Sequence, residues 1–225
     1  MRRDGDGKKL IREGNTMDYS IQQYWNELVW VMQEMPFDLL AQVADILFDC
    51  HRRGSTVFLV GNGGSAATAS HFACDLAKGA RAKGLPPFRV VALTDNVPLL
   101  TAWANDTHYE RVFAEQLATL VRAEDVVILI SASGNSPNIL ATARAARHAH
   151  AISIALTGQT GGKLARLVDL AVRVPGQAIE QVEDAHLIIA HSVCVALRER
   201  LCTEAALLEA EEICAPEPIV RTQSR

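Results

Sequence analysis

Residues 60–79 read VGNGGSAATASHFACDLAKG, a stretch that crowds Gly61, Asn62, Gly63, Gly64 and Ser65 into one turn. His71 follows, and Asp75 comes four residues later. The turn is preceded by a short, branched, apolar run, TVFLVG at 56–61, and four similar runs come after it: RVVALT (89–94), VVILIS (126–131), ISIALT (152–157) and LAVRVP (170–175). Strands that are apolar along their whole length are buried on both faces, the condition of a parallel sheet covered by helices. Helical spacing is expected near 66–79, 97–121, 136–149 and 162–168, and a long helix over 180–203 closes the domain. Alternating strands and helices predict an α/β fold, a doubly wound parallel five-stranded sheet with helices on both faces. Ligands of such sheets sit beyond the carboxyl ends of the strands, so the residues just after each strand are the ones to question.

The rest of the 225-residue chain sets bounds on function. It is 49% apolar and 21% charged with a net charge of −4, which gives nucleic acid and anionic membrane no electrostatic attraction. No apolar run approaches the roughly 18 residues of a membrane span. Cys50, Cys74, Cys194, Cys202 and Cys214 form no CxxC pair and are expected to be buried, reduced thiols of a cytoplasmic protein. Residues 1–16 lack an apolar segment and are expected to be a disordered leader rather than a signal peptide. Residues 17–53 read as two helices separated at Pro36, and Tyr19, Tyr24, Trp25 and Trp30 give them more aromatic surface than their own core needs. Oligomer contacts are expected there. Residues 54–203 carry the sheet, and 204–225 form an acidic helical stub and a proline-containing tail.

Two of the strands run into turns suited to an anion. After GNGGSA comes SASGNSPN at 131–138, in which Ser131, Ser133 and Ser136 surround Gly134 and Asn135. Small residues let backbone N–H groups close on a phosphate, the helix that follows adds its dipole, and serine hydroxyls add uncharged donors. GNGGSA alone also fits a dinucleotide fingerprint, with Asp95 as the ribose-binding acid, but that reading leaves the second cradle without a purpose. Neither turn carries the GK[ST] of a P-loop. A phosphorylated small molecule accounts for both turns, with Asn62, Gly63, Gly64, Ser65, Ser131, Ser133, Asn135 and Ser136 as candidate binding residues. Asp95, directly after a strand, is expected either to bind sugar hydroxyls or to cap the next helix.

Candidate reactive groups lie on two helices. His71 and Asp75 share one helical face by their spacing of four. On the closing helix Asp184 lies about 20° from His191 around the axis and Glu183 about 80° from it, while His186 points away. Histidines with carboxylates are ligand types for a Zn²⁺-class ion.

The order GNGGSA, HFACDL, LTDN, ISASGNSPN, LTGQTGGKL, VEDAHLIIAH resembles the sugar-isomerase (SIS) domain family, on the branch that interconverts seven-carbon ketose and aldose phosphates. The resemblance covers about residues 20–203. It implies conversion of sedoheptulose 7-phosphate to a heptose 7-phosphate through an enediol, in a homotetramer with sites at subunit contacts. It also implies a divalent metal, Zn²⁺ by ligand type, held by His71, Asp75, Glu183 and His191, with Asp75 as general base and His191 as its acid–base partner. This chain departs from the family pattern at Asp75 (glutamate there), Glu183 (glutamine), Gly79 (arginine, with Lys78 adjacent here) and Ala132 (threonine). Because of those departures, a catalytically inactive sugar-phosphate-binding regulator acting through a protein partner stands as the alternative.

Overall fold

The computed structural model describes residues 10–214, with side chains described from 20 to 210. The order is α1 (Leu10–Gln33), α2 (Phe37–Arg53), β1 (Thr56–Val60), α3 (Gly64–Cys74), β2 (Arg89–Ala92), α4 (Val97–Asp106), α5 (Val112–Leu120), β3 (Val126–Ser131), α6 (Pro137–His148), β4 (Ile152–Gly158), β5 (Leu170–Val174) and α7 (Ile179–Cys214). The five strands form one parallel sheet in the order β2-β1-β3-β4-β5. All five expected strands are present, each within two residues of its expected ends.

Strand alternation builds two cores. Val57 and Leu59 of β1, with Val126, Ile128 and Ile130 of β3, pack toward α2, α3 and α7. Phe58 and Val60, with Val127 and Leu129, pack toward α4, α5 and α6 on the other face. Successive side chains of a strand point to opposite faces, so strands covered on both sides must be apolar at every position. Each such fully buried side chain contributes about 1.5–3 kcal/mol.

Several expected boundaries move. α1 begins at Leu10, so residues 10–16 of the expected leader are helical; no proline interrupts them, and residues 1–9 lie outside the described residues. The expected helix over 97–121 is broken in two. α4 ends at Asp106, and α5 starts at Val112 after a 3₁₀ turn at Tyr109–Arg111. Asn105, Asp106, Thr107 and His108 are poor helix formers, and the apolar period continued across them without reporting the break. The segment at 162–168 contains only a 3₁₀ turn, Leu164–Arg166. α7 runs without interruption past residue 203 to Cys214, and the tail beyond it lies outside the described residues. Among the cysteines, Cys50 and Cys194 are buried, whereas Cys74 and Cys202 are exposed free thiols; the Cys214 side chain lies outside the described residues.

α1 is fastened to α7 by polar contacts. Tyr24 Oη donates to Asp184 Oδ2 at 2.5 Å, and Gln181 Nε2 donates to Glu27 Oε2 at 2.8 Å. The Asp184 carboxylate, by accepting that hydrogen bond, pushes the Tyr24 hydroxyl up to about 12. Ile21, Trp25 and Val29, spaced by four, form an exposed apolar stripe along α1, with Trp25 61% exposed. No helix among the described residues is long and apolar enough to cross a membrane.

At the amino edge of the sheet, Asp125 joins two strands. Its carboxylate accepts from the Thr56 N–H at 2.8 Å and the Arg122 N–H at 2.7 Å, and the residue is buried. Removing it leaves two backbone donors without their acceptor, each costing on the order of 1–3 kcal/mol. Asp125→Ala is expected to lower stability in urea unfolding by about 2–3 kcal/mol. A change below about 0.5 kcal/mol would show that water replaces the carboxylate.

Candidate active site

β1 and β3 are neighbours, in parallel register from Val57↔Val126 to Val60↔Leu129. Their following turns therefore lie side by side at the carboxyl edge. The turn after β3 is braced from behind by the loop after β4. Gly158 N–H donates to the Ala132 carbonyl at 2.9 Å, Leu164 N–H to the Gly134 carbonyl at 2.9 Å, and Lys163 N–H to Asn135 Oδ1 at 3.1 Å. Gly134 has φ +59°, and a Cβ there would drive into the Gly161 carbonyl. Glycine is required on both counts.

The cradle residues divide by what already occupies them. Ser65 and Ser131 are buried, Ser136 is half-buried, and among the described residues their hydroxyls have no hydrogen-bond partner. Those hydroxyls are free for a ligand. Ser133 Oγ accepts from the Asn135 N–H at 3.2 Å, and Asn135 Nδ2 donates to the Ser133 carbonyl at 2.8 Å, so these two shape the turn. Gly63 and Gly64 open α3, with Gly63 at φ +53°. Asp95 accepts from Ser70 Oγ and, at 3.1 Å, from Thr94 Oγ1. It does not cap α4; Asn96 does, accepting from the Leu99 N–H at 3.1 Å.

Asn62 is held by residues the sequence reading did not single out. It exchanges two hydrogen bonds with Asn138, at 2.9 and 2.8 Å, and its Oδ1 also accepts from Tyr109 Oη at 3.2 Å. Asn138 lies inside the quoted serine motif, but no sequence signal tied Tyr109 to the site.

The reactive cluster forms where α3 meets α7. His71 Nε2 and His191 Nε2 are 2.8 Å apart, with the rings edge to face. Asp75 Oδ2 is 3.4 Å from the first and 3.6 Å from the second. Both imidazoles are about half exposed. Asp75 stands at the start of a π-turn, Asp75–Gly79, closed by the Ala80 N–H donating to the Asp75 carbonyl at 2.9 Å. Such single π-turns often accompany functional sites, because the extra residue re-aims a side chain.

The cluster suits a metal. Two imidazole nitrogens and a carboxylate oxygen, all within 4.8 Å of one another, make a three-ligand set of the kind that leaves a position open for substrate. Glu183 is not in this group. Its carboxylate lies at the amino end of α3, where a Cβ on Gly64 would come within 2.8 Å of it. It occupies the space glycine leaves there, close to the favourable end of the helix dipole. The reason is the crossing of α7 over α3, which brings position 191 to His71 and position 183 to the glycine turn.

Two buried groups of α7 have shifted titrations, Cys194 beside Asp75 and His186 beside the Thr157 backbone. Burial pushes the Cys194 thiol up to about 12, with the Asp75 carboxylate adding to the effect, so it stays an unreactive thiol. His186 is fully buried, and among the described residues neither ring nitrogen has a hydrogen-bond partner. Burial lowers it to about 4, partly offset by the nearby Thr157 backbone.

The SIS domain family model matches residues 22–158. The phosphoheptose isomerase of Rhodospirillum rubrum is 38% identical over 164 residues, covering 73% of this chain and 87% of that protein. The phosphoheptose isomerase of Roseiflexus sp. is 39% identical over 168 residues, 74% and 84% of the two chains. Among solved structures, the phosphoheptose isomerase from Neisseria gonorrhoeae superposes with a TM-score of 0.76 at 31% identity, covering 81% of this chain and 99% of that one. The chain belongs to the SIS domain family. Within that family its sequence and its fold are both similar to the phosphoheptose isomerases.

The buried His186 makes stability depend on pH. Its folded value, about 4, lies below its ordinary 6.5, so between those limits the unfolded chain takes up a proton that the folded protein refuses. Stability therefore falls as pH drops from about 6.5 to about 4, by on the order of 3 kcal/mol for this group. His186→Leu is expected to lose less stability than the parent between pH 7 and pH 4.5, measured by urea midpoints. Parallel losses in the two proteins would assign the acid sensitivity elsewhere.

Proposed function

We propose that this protein is a phosphosugar aldose–ketose isomerase that converts sedoheptulose 7-phosphate to a heptose 7-phosphate. The observation that carries the reading is the meeting of His71, Asp75 and His191 within one subunit, at the helix that opens from the glycine turn of the phosphate cradle. A pure scaffold has no use for that cluster.

The phosphoryl group is held by the free hydroxyls of Ser65, Ser131 and Ser136 and by the amino end of α6. The carbon chain then reaches toward the cluster on α3 and α7. Isomerisation moves a proton between adjacent carbons and another between their oxygens. Asp75 Oδ2 faces the imidazoles, which leaves Oδ1 to take the carbon-bound proton. His191 serves the oxygens, with His71 as its hydrogen-bonded neighbour. His71, Asp75 and His191 are the residues that would hold a divalent ion, Zn²⁺ by ligand type, and the ion would supply Lewis-acid stabilisation of enediolate charge. His191 has two ring nitrogens, and only Nε2 faces His71 and Asp75, so Nε2 is the nitrogen that would ligate the ion. Asp95 stands at the cradle's edge as a further contact for sugar hydroxyls.

The exposed stripe on α1, together with exposed Ile188 and Val195 on α7, supports assembly with further copies of the chain, a homotetramer by analogy with the family. Four free thiols among the described residues suit a reducing, cytoplasmic location.

Incubation with sedoheptulose 7-phosphate, followed by NMR, is expected to show an aldose product. Asp75→Asn and His191→Gln are each expected to lower kcat by about 100-fold or more, the scale of general acid–base catalysis. Binding of the ketose phosphate without turnover in the parent would favour the regulator reading instead.

A further inference from the structure

The direction an asparagine amide faces is set by its partners, and in this cradle that choice propagates from the backbone. Asn138, the second residue of α6, is 2% exposed. Its Oδ1 accepts from the Ile139 N–H at 3.0 Å. A backbone N–H can only donate, so the oxygen of Asn138 is fixed on that side and its Nδ2 on the other. The same Oδ1 accepts from Asn62 Nδ2, and Asn138 Nδ2 donates to Asn62 Oδ1. The orientation of Asn62 is thereby fixed in turn. Tyr109 Oη occupies the second lone pair of Asn62 Oδ1. Among the described residues, one polar feature of the Asn62 amide is left unclaimed, its second Nδ2 proton.

Asn62 can thus meet a ligand only as a donor. Together with Ser136 and Tyr109 it lines a cavity of about 670 Å³ over the amino end of α6. An amide flipped the other way would turn its carbonyl oxygen toward a bound phosphate, and the two would repel.

We propose that Asn138 and Tyr109 are positioning residues that lock Asn62 in its donor-only orientation toward the substrate's phosphoryl group. The inference rests on the isomerase reading only in taking the bound anion to be the substrate's phosphate. The reciprocal amide pair also ties the turn after β1 to the turn after β3, so both halves of the cradle are held as one unit.

The test is a double-mutant cycle of Asn62→Ala, Asn138→Ala and the pair, together with Asn138→Asp and Tyr109→Phe. It is read both as KM and kcat for sedoheptulose 7-phosphate and as the dissociation constant of inorganic phosphate from thermal-shift titration. Loss of one hydrogen bond to a charged group is worth about tenfold or more. Asn62→Ala and Asn138→Ala are each expected to weaken both KM and phosphate binding by about that factor, with kcat within about threefold of the parent. The double variant is expected to be no worse than Asn62→Ala, because Asn138 acts through Asn62. Asn138→Asp keeps the Ile139 bond but removes the donor to Asn62 Oδ1, and it is expected to weaken phosphate binding at least as much as Asn138→Ala. Tyr109→Phe is expected to weaken it by a smaller factor. Losses that multiply in the double variant, or an unchanged phosphate constant in Asn138→Asp, would overturn the proposal. If the parent binds phosphate but does not turn over the ketose, the isomerase reading fails and the phosphate arm of the cycle still decides this one. If Asn138→Ala does not fold, Asn138→Asp and Tyr109→Phe carry the test.

Discussion

The parallel pairing of β1 with β3 is the constraint from which the site follows. With β2 on the outer side of β1 and β4 on the outer side of β3, the chain leaves these two central strands toward opposite faces of the sheet. A crevice opens where the direction of winding reverses, and the two turns built of glycine and serine are the two that border it. Shifting the register of Val57↔Val126 through Val60↔Leu129 by one residue would turn every side chain of a strand to the other face and separate the turns. The double core prevents this, because alternate residues of both strands are committed to opposite helical layers.

The phosphate recognition proposed for this edge draws no formal positive charge from the cradle residues themselves. Free hydroxyls, an outward amide proton and a helix amino terminus supply donors whose positions are fixed by backbone packing. The close approach of Gly134 to Gly161 sets the shape of the turn, and the Asn62–Asn138 pair joins the two sides. Preorganised neutral donors spare the desolvation cost of burying cations. The proposed proton transfers are left to the separate cluster of Asp75 with the two imidazoles.

The carboxylates show how packing assigns roles. Asp184 sits about 20° from His191 around α7, yet it is taken up by Tyr24 in holding α1. Glu183 lies farther round and fills the notch at Gly64. Asp75 alone among them meets the imidazoles, aided by the π-turn that begins at its own position. Asp75, where the resemblance leads one to expect a longer glutamate, stands 3.4 Å and 3.6 Å from the two ring nitrogens.

All five strands could be read from the sequence, because a strand buried on both faces must be apolar at every position and so announces itself. The shared face of His71 and Asp75 could be read for an equally local reason, since helical periodicity places residues four apart together. The serine and glycine turns were legible because few residue types tolerate close backbone approach. Other features were not. The break after Asp106 hid within a continuing apolar period, and with it the turn that presents Tyr109. The separation of Glu183 from the imidazoles depends on the line along which α7 crosses α3, and angular position on a helix carries no information about that crossing. Asn62 and Asn138, 76 residues apart, meet only because β1 and β3 pair. Local spacing is governed by the backbone period and is written in the sequence. The meeting of side chains from separately formed elements depends on how those elements pack, and only the tertiary structure decides it.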